Sequence, residues 1–260
     1  MRTYCFALRG SAAALAVVVA AGASQAAEFP AQVFSITALR TDTNESYTWT
    51  RTLAPEDFVN ETTYHWKLAA DIELRDPNTN TLLGTLEGGA SSATGVRYEA
   101  DPVVALSFNV VAGAAPTIFL IASGPLGFAP IFPAIGRASA GMTATDLNGD
   151  GVTATGMFPG VKSYEAEFNG PPLVGTPFAD LVGPLAAGFF STDTDSEDFP
   201  AVGFAPIGPP VSSMSAVFWF TLSAFDSAAG TSVWVVIPTP GAGVLLLGAA
   251  GIMGLRRRRA

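Results

Sequence analysis

Apolar and polar residues alternate along most of the chain between residues 32 and 236. In Thr62–Leu74 the apolar residues at every second position share one face. Successive side chains of a strand point to opposite faces, so this pattern predicts a long half-buried strand or a bent pair of strands. Similar runs are Gln32–Leu39, Thr81–Leu86, Val103–Val111, Thr117–Ala122, Lys162–Asn169, Val211–Phe225 and Thr231–Val236.

Turn-forming residues separate these runs, as in Asp76–Asn80, and no convincing helical period accompanies them. Short strands bounded by Gly, Pro, Asn and Asp are typical of an all-β fold. The sequence therefore predicts an antiparallel β-sandwich over residues 27–236. Proline and glycine are concentrated in Gly124–Gly136 and Gly170–Pro210, which we expect to be long irregular loops.

Residues 1–26 have a different character from the rest of the chain. Arg2 and Arg9 accompany the apolar run Ser11–Gly22, and Ser24–Ala26 supplies small residues at the cleavage positions. This order is typical of a secretory signal peptide, so we expect an N-terminal signal helix that signal peptidase removes. Cys5, the only cysteine, would leave with it, and disulfide and thiol chemistry are not expected in the mature protein.

Residues 237–260 combine a proline pair, an apolar run and a basic cluster. Gly241–Leu255 contains no charged residue but is shorter than the roughly 20 residues of a full membrane span. We expect a short transmembrane helix here, with a basic cluster that stops translocation and stays in the cytoplasm. A simple membrane anchor is the alternative. The motif residues are Pro238, Thr239 and Pro240, and the stop-transfer residues are Arg256, Arg257, Arg258 and Arg259.

These three features, in this order and with an N-terminal signal, resemble the C-terminal sorting signal of bacterial PEP-CTERM proteins. The resemblance covers about the last 25 residues, and Thr239 stands where the family usually has Glu. It implies recognition by an exosortase-type sorting enzyme after transient anchoring in the inner membrane. The expected destination is the cell surface or extracellular matrix of a Gram-negative-type bacterium.

The charge of the body is strongly one-sided. Six of the 13 Lys and Arg lie in the two terminal segments, whereas all 22 acidic residues lie between them, which leaves a net charge near −15. Such a surface repels nucleic acid, so no nucleic-acid partner is expected. An acidic surface suits solubility outside the cell and weak binding of divalent cations.

The segment DLNGDGVTATGM offers a candidate calcium loop. Asp146, Asn148 and Asp150 fall at positions 1, 3 and 5, Gly151 permits a tight turn, and Val152 offers a carbonyl at position 7. Position 12 is Met157 instead of the bidentate Glu of an EF-hand, and no flanking helices are evident. A calcium site and a simple Asx/Gly turn both remain open.

Other polar residues offer weaker chemistry. Asp193–Asp198 is a second acidic stretch, interpreted here as a solvated loop with calcium binding as the alternative. Glu165 and Glu167 share a strand face, as paired carboxylates of glycosidases can, but a solvent-facing alternation is favoured. His65, the only histidine, is interpreted as a surface strand residue.

Two function classes are consistent with these features. The first is a non-enzymatic, exported cell-surface or matrix protein. The second is a carbohydrate-binding domain that holds extracellular polysaccharide through exposed aromatic residues and a structural calcium ion. Most aromatic residues of the alternating strands are expected in the core, with Trp219 facing away from Phe218 and Phe220.

Overall fold

The computed structural model describes residues 27–90 and 92–239. The predicted signal peptide, Pro240, the apolar run Gly241–Leu255 and Arg256–Arg259 lie outside the described residues. Within them the chain forms 19 strands and the short 3-10 helices Pro55–Asp57 and Pro159–Val161. The strands are β1 Gln32–Arg40, β2 Ser46–Thr52, β3 Phe58–Asn60, β4 Thr63–Lys67, β5 Ile72–Arg75, β6 Leu82–Leu86, β7 Gly95–Glu99, β8 Val103–Ala112, β9 Thr117–Ser123, β10 Leu126–Ile131, β11 Ala134–Thr145, β12 Val152–Gly156, β13 Tyr164–Phe168, β14 Thr176–Leu181, β15 Leu185–Ala187, β16 Thr192–Phe199, β17 Ala205–Ile207, β18 Val211–Leu222 and β19 Ser227–Pro238.

The strands form two antiparallel sheets. Sheet A has nine strands in the order β14-β13-β18-β9-β1-β2, with β10 and β12 beside β18 and β15 beside β12. Sheet B has ten strands in the order β16-β11-β19-β8-β7-β4-β3, with β17 beside β11, β6 beside β8 and β5 beside β6. The predicted all-β, sandwich-like architecture is therefore confirmed.

Aromatic side chains join the two sheets. Phe108 of β8 packs against Phe218 of β18 with ring centroids 4.9 Å apart. The Tyr98 hydroxyl crosses from sheet B and shares its hydrogen between the backbone carbonyls of Val33 in β1 (2.7 Å) and of Gly124 just after β9 (3.1 Å). The Trp234 indole donates to the backbone carbonyl of Glu167 at 3.1 Å. Tyr98 and Trp234 are completely buried, so their polar atoms need such partners.

The bent-pair interpretation of Thr62–Leu74 agrees with the structure, since β4 and β5 are separate strands with different neighbours. The prediction of long irregular loops is wrong. Gly124–Gly136 contains β10, and Gly170–Pro210 contains β14, β15, β16 and β17. Their prolines lie at strand ends, at edges and in short connections, where no ladder hydrogen bond is lost.

The longest antiparallel strand pair defines two ends of the sandwich. β11 and β19 pair over 12 residues, from Thr145 opposite Ser227 to Ala134 opposite Pro238. At about 3.3 Å per residue, these ends lie roughly 36 Å apart. The candidate calcium loop follows Thr145 at one end, and Thr239 leaves the fold at the other. We call these the loop end and the exit end.

Candidate metal centre

The loop between β11 and β12 is organised by one buried carboxylate. Asp146 is 3% exposed. Its Oδ1 accepts the backbone N–H groups of Asn148 (3.2 Å) and Gly149 (2.8 Å), and its Oδ2 accepts that of Phe190 (2.6 Å). Gly149 and Gly151 have φ of 86° and 96°, which other residues adopt only with strain. The chain therefore turns back tightly here, which both a calcium loop and a simple Asx/Gly turn require.

A third carboxylate reaches this loop from the turn between β18 and β19. Asp226 is fully buried, and its Oδ1 accepts the Leu147 backbone N–H at 3.2 Å. Its Oδ2 accepts a hydrogen bond from the Ser223 hydroxyl. One carboxylate oxygen from each of Asp146, Asp150 and Asp226 lies within 4.8 Å of the other two. Two turns that are far apart in sequence thus build one acidic cluster.

Burial, hydrogen bonds and neighbouring charges shift the pKa values of Asp146 and Asp226. Burial raises the pKa of Asp226, the Ser223 and Leu147 donors oppose that rise, and the neighbouring Asp146 and Asp150 carboxylates add to it. Burial also acts to raise the pKa of Asp146, but its several backbone donors outweigh burial and hold the value below the ordinary one. None of the ion pairs between described residues involves these three aspartates. Their mutual repulsion therefore lacks a basic side chain to offset it.

The donor set fits a hard divalent cation. Calcium binds oxygen ligands at 2.3–2.6 Å, so two ligands of one ion can lie up to about 5 Å apart. The three carboxylate oxygens of the cluster lie within 4.8 Å of one another, so their separations are short enough for ligands of one ion. Carboxylate oxygens are the ligands that calcium prefers, and a cation would relieve the repulsion that raises the pKa of Asp226.

The structure brings together only part of the predicted ligand set. Asp146 and Asp150 converge, but Asn148 turns its amide to the backbone, accepting from Asp150 N (3.0 Å) and donating to Ala224 O (3.3 Å). Val152, which is predicted to offer its backbone carbonyl, begins β12 opposite Ala187. Asp226 was missed because it lies 76 residues beyond Asp150 and shares no motif with it.

Exposed apolar side chains surround the acidic cluster. Leu147 (50% exposed) and Phe225 (51%) lie in the two turns of the cluster, and Phe189 (73%) and Phe190 (61%) lie in the β15–β16 connection, whose Phe190 backbone N–H bonds to Asp146. Phe190 and Phe225 have φ of 45° and 60°, a left-handed conformation that costs a bulky residue about 1–2 kcal/mol. We call these four side chains the apolar rim.

The second acidic stretch is a strand, so its interpretation as a solvated loop is wrong. Residues 193–198 belong to β16, the edge strand of sheet B. Alternate acidic side chains accept backbone N–H groups of β15 and of the connection before it: Asp193 from Ala186 of β15 (2.9 Å), and Asp195 from Gly183 (2.7 Å). Glu197 does the same for Val182 at 3.1 Å. Their role here is to attach that connection to the sheet edge, and charges on an edge also discourage strand addition.

The prediction of a solvent-facing Glu165 and Glu167 is also wrong. They are 6% and 1% exposed, and Asp180 lies opposite Glu165 on β14. Both oxygens of Glu167 accept the Leu173 backbone N–H, at 2.9 and 3.1 Å, because the connection between β13 and β14 folds over the strand. A carboxylate pair so enclosed offers little surface to a sugar in solvent.

Most aromatic residues lie where the alternation places them. Trp66 and Trp234 are buried, and Trp49 packs against the core. Trp219 points away from that core and packs on Phe158 at 5.7 Å. His65 is exposed on β4, as expected for a surface strand residue.

The described part of the predicted sorting motif, Pro238 and Thr239, continues the sandwich. β19 extends through Pro238, beyond the expected domain boundary at residue 236, and Thr239 donates its backbone N–H to Pro133 O at 3.0 Å. Over residues 27–90 and 92–239, no helix has the length and apolar character needed to cross a bilayer.

Comparison with known proteins finds only weak similarity to solved structures. No family model and no curated protein matches the chain. Two weakly similar solved structures are those of infectious bursal disease virus, Gt strain, and the VP2 subviral particle of the same virus. The first has 14% identity, covers 88% of this chain and 74% of its own, and has a TM-score of 0.15. The second has 11% identity, coverages of 88% and 75%, and a TM-score of 0.11.

Proposed function

We propose that this chain is a non-enzymatic, exported cell-surface or extracellular-matrix protein whose β-sandwich is stabilised by calcium at the loop end. The observation that carries the calcium assignment is the convergence of Asp146, Asp150 and Asp226, with two of these carboxylates buried. Export rests on the signal-like residues 1–26, and sorting rests on the tail after Ile237. An exosortase-type enzyme and signal peptidase are the proposed processing partners, and the net negative charge argues against nucleic acid.

Calcium would act on stability in this proposal. The ion would link the β11–β12 loop to the β18–β19 turn, two segments that the unfolded chain cannot hold together. A ligand that binds only the folded state stabilises it by mass action. At ten times a millimolar dissociation constant, this amounts to about 1.4 kcal/mol, or a rise in Tm of roughly 3–6 °C.

The test compares thermal unfolding in calcium and in chelator. The calcium concentration is about 10 mM, ten times the millimolar dissociation constant. We expect a higher Tm in calcium for the wild type and no calcium response for Asp150→Asn. Asp150 is exposed, so its replacement removes charge from the cluster with little disturbance of packing. In chelator, Asp150→Asn should melt at the same temperature as the wild type or higher, because one repulsive carboxylate is gone.

Asp101→Asn is the matched control, since Asp101 is an exposed turn carboxylate outside the cluster. It should keep the full calcium response. A wild-type Tm that is identical in calcium and in chelator would leave the loop as a hydrogen-bonded turn and refute the calcium assignment.

The apolar rim favours a second candidate function, carbohydrate binding at the loop end. Phe189 and Phe190 expose most of their rings beside the acidic cluster. Flat aromatic rings stack on sugar faces, and a bound cation can bridge carboxylates to an acidic or hydroxyl-rich glycan. Binding to a glycan array that is lost on Phe189→Ala, and kept on Phe132→Ala at the exit end, would support it. Equal binding by both variants would count against this site.

A further inference from the structure

The exit end of the sandwich carries exposed apolar side chains in two connections without charge, whereas the exposed Asp101 lies on the other side of β19, next to Pro102, which accepts the Val236 backbone N–H at 3.1 Å. Phe132 is 65% exposed, Val202 89% and Phe204 41%. They come from two connections, the turn before β11 and the loop between β16 and β17. The segments 123–136 and 199–225 that contain these connections have no charged residue, in a body with 22 acidic residues. A chain this acidic would be expected to place charge on such exposed turns.

These connections surround the point where the chain leaves the fold. β11 holds them together, because Ala134 pairs with Ile207 on one side and with Pro238 on the other. Thr239 then bonds to Pro133, directly after Phe132. On the adjoining strands, Arg137 and Asp198 pair with each other at 3.5 Å and so add no net charge there.

The sequence after Thr239 determines which environment this surface faces. After Pro240 comes the uncharged run Gly241–Leu255, and then Arg256–Arg259. If that run enters a bilayer, as the proposed function requires, the first residues after the fold lie at the lipid headgroups. Only Pro240 separates Thr239 from the run, and one residue spans at most about 3.6 Å. The exit end would therefore be held against the membrane surface.

We propose that the exit end of the sandwich, through Phe132, Val202 and Phe204, docks on the lipid bilayer that holds the tail. The inference rests on the membrane insertion of the tail in the proposed function. Apolar side chains at the headgroup level lose contact with water, and the lack of charged residues in both connections avoids the desolvation of ions. The acidic loop end then projects away from the bilayer, roughly 36 Å from the exit end.

The experiment uses the full chain with Cys5→Ser, so that one introduced cysteine is unique. Val202→Cys at the exit end and Phe189→Cys at the loop end are labelled with a polarity-sensitive dye. Each protein is exported by a bacterial host, purified from membranes and reconstituted into phosphatidylcholine vesicles. Flotation first measures whether the protein stays with the vesicles. Nitroxide attached to lipid headgroups and iodide in water then report what each dye contacts.

The proposal expects flotation of both proteins, a blue shift and loss of most fluorescence to the lipid nitroxide at position 202, and iodide quenching alone at position 189. Flotation with iodide quenching alone at both positions would overturn the docking and leave the anchor intact. Failure to float would overturn the anchor, and the docking with it. Shielding of position 202 from both quenchers would show that protein covers it, either the tail or a second copy, and would also overturn the docking.

Discussion

Glu165 and Glu167 are buried in sheet A with Asp180 as a neighbour, and charge on this cluster opposes folding. Burial raises the pKa of Glu165 to about 9, and the adjacent Glu167 and Asp180 carboxyls add to the rise. Burial also raises the pKa of Glu167, although Ser215 and the Leu173 backbone N–H favour its ionised form. The folded protein therefore holds a proton here that the unfolded chain, with a Glu pKa near 4.5, has lost at neutral pH.

This difference predicts a loss of stability with rising pH. Because the folded pKa of Glu165 is raised, its contribution is fully present below about pH 4.5 and disappears as the pH rises toward about 9. We expect the free energy of unfolding at pH 8.5 to be lower than at pH 5 by at least the equivalent of one pKa unit, about 1.4 kcal/mol. Glu165→Gln should flatten this dependence. Urea denaturation across pH 5–9 measures both.

Glu61→Gln serves as the control for that series, because Glu61 is exposed. It should retain the wild-type slope. If Glu165→Gln also retains it, the slope arises elsewhere in the molecule and the cluster does not hold the proton.

The burial of these glutamates shows a limit of sequence patterns at the scale of one residue. Alternation in KSYEAEFN correctly separates Tyr164 and Phe168 from Glu165 and Glu167. The alternation identifies the two faces of the strand, but it does not show which residues pack on the face that carries the glutamates. That depends on the β13–β14 connection, whose Leu173 bonds to Glu167, and on Gly175, whose added Cβ would lie 3.0 Å from the Glu167 Cβ.

Strands β11 and β19 contain glycines at positions where a larger residue would clash with a buried aromatic ring. Gly230 of β19 lies opposite Phe108 of β8, and a Cβ added at Gly230 would lie 2.4 Å from the Phe108 ring. The aromatic ring covers the glycine and fills its place in the core. Close packing of this kind leaves no room for even one methyl group.

Gly230→Ala should therefore destabilise the protein by about 1–3 kcal/mol through overpacking. Phe108 would have to leave its place against Phe218, 4.9 Å away. The matched variant is Gly188→Ala, where an added Cβ has no neighbour within 4 Å. It should change stability by no more than about 0.5 kcal/mol. Equal losses in urea denaturation of the two variants would contradict the packing argument.

The predictability of each strand follows its composition. β8, β9 and β18 are rich in β-branched and aromatic residues, and their positions were predicted closely. β11 is as long as β18 but was missed, because alanine, glycine and serine give almost no contrast between its two faces. Proline-rich segments were interpreted as loops for a similar reason, since short edge strands such as β17 tolerate proline.

For the whole molecule, the tail leads to a prediction about processing. If residues after Pro238 act as a sorting signal, protein at the cell surface should lack residues 243–260, and its intact mass should show this. A chain with Arg256–Arg259 replaced by glutamine would lose the stop-transfer charge and should not be processed. Surface protein that retains the four arginines would leave a simple membrane anchor as the interpretation.

The candidate metal centre could be predicted only in part, and the reason is the topology of the whole molecule. Asp146 and Asp150 belong to one short motif, and the sequence identifies both. Asp226 joins them only because β19 pairs with β11 over its full length, which places the two turns side by side. No local sequence pattern predicts the pairing of these two strands.

The same strand arrangement determines when the protein can fold. β18 lies inside sheet A between β13 and β9, and β19 lies inside sheet B between β11 and β8, yet these are the last two strands in the chain. As the polypeptide is synthesised or threaded across a membrane from its N-terminus, most other strands emerge before their central partners. Sheet A cannot be completed until residues up to Leu222 are free, and sheet B until residues up to Pro238 are free, because long-range pairs must wait for both strands. The emerging protein must therefore remain open to proteases and aggregation, or be held by chaperones, until its last two strands arrive.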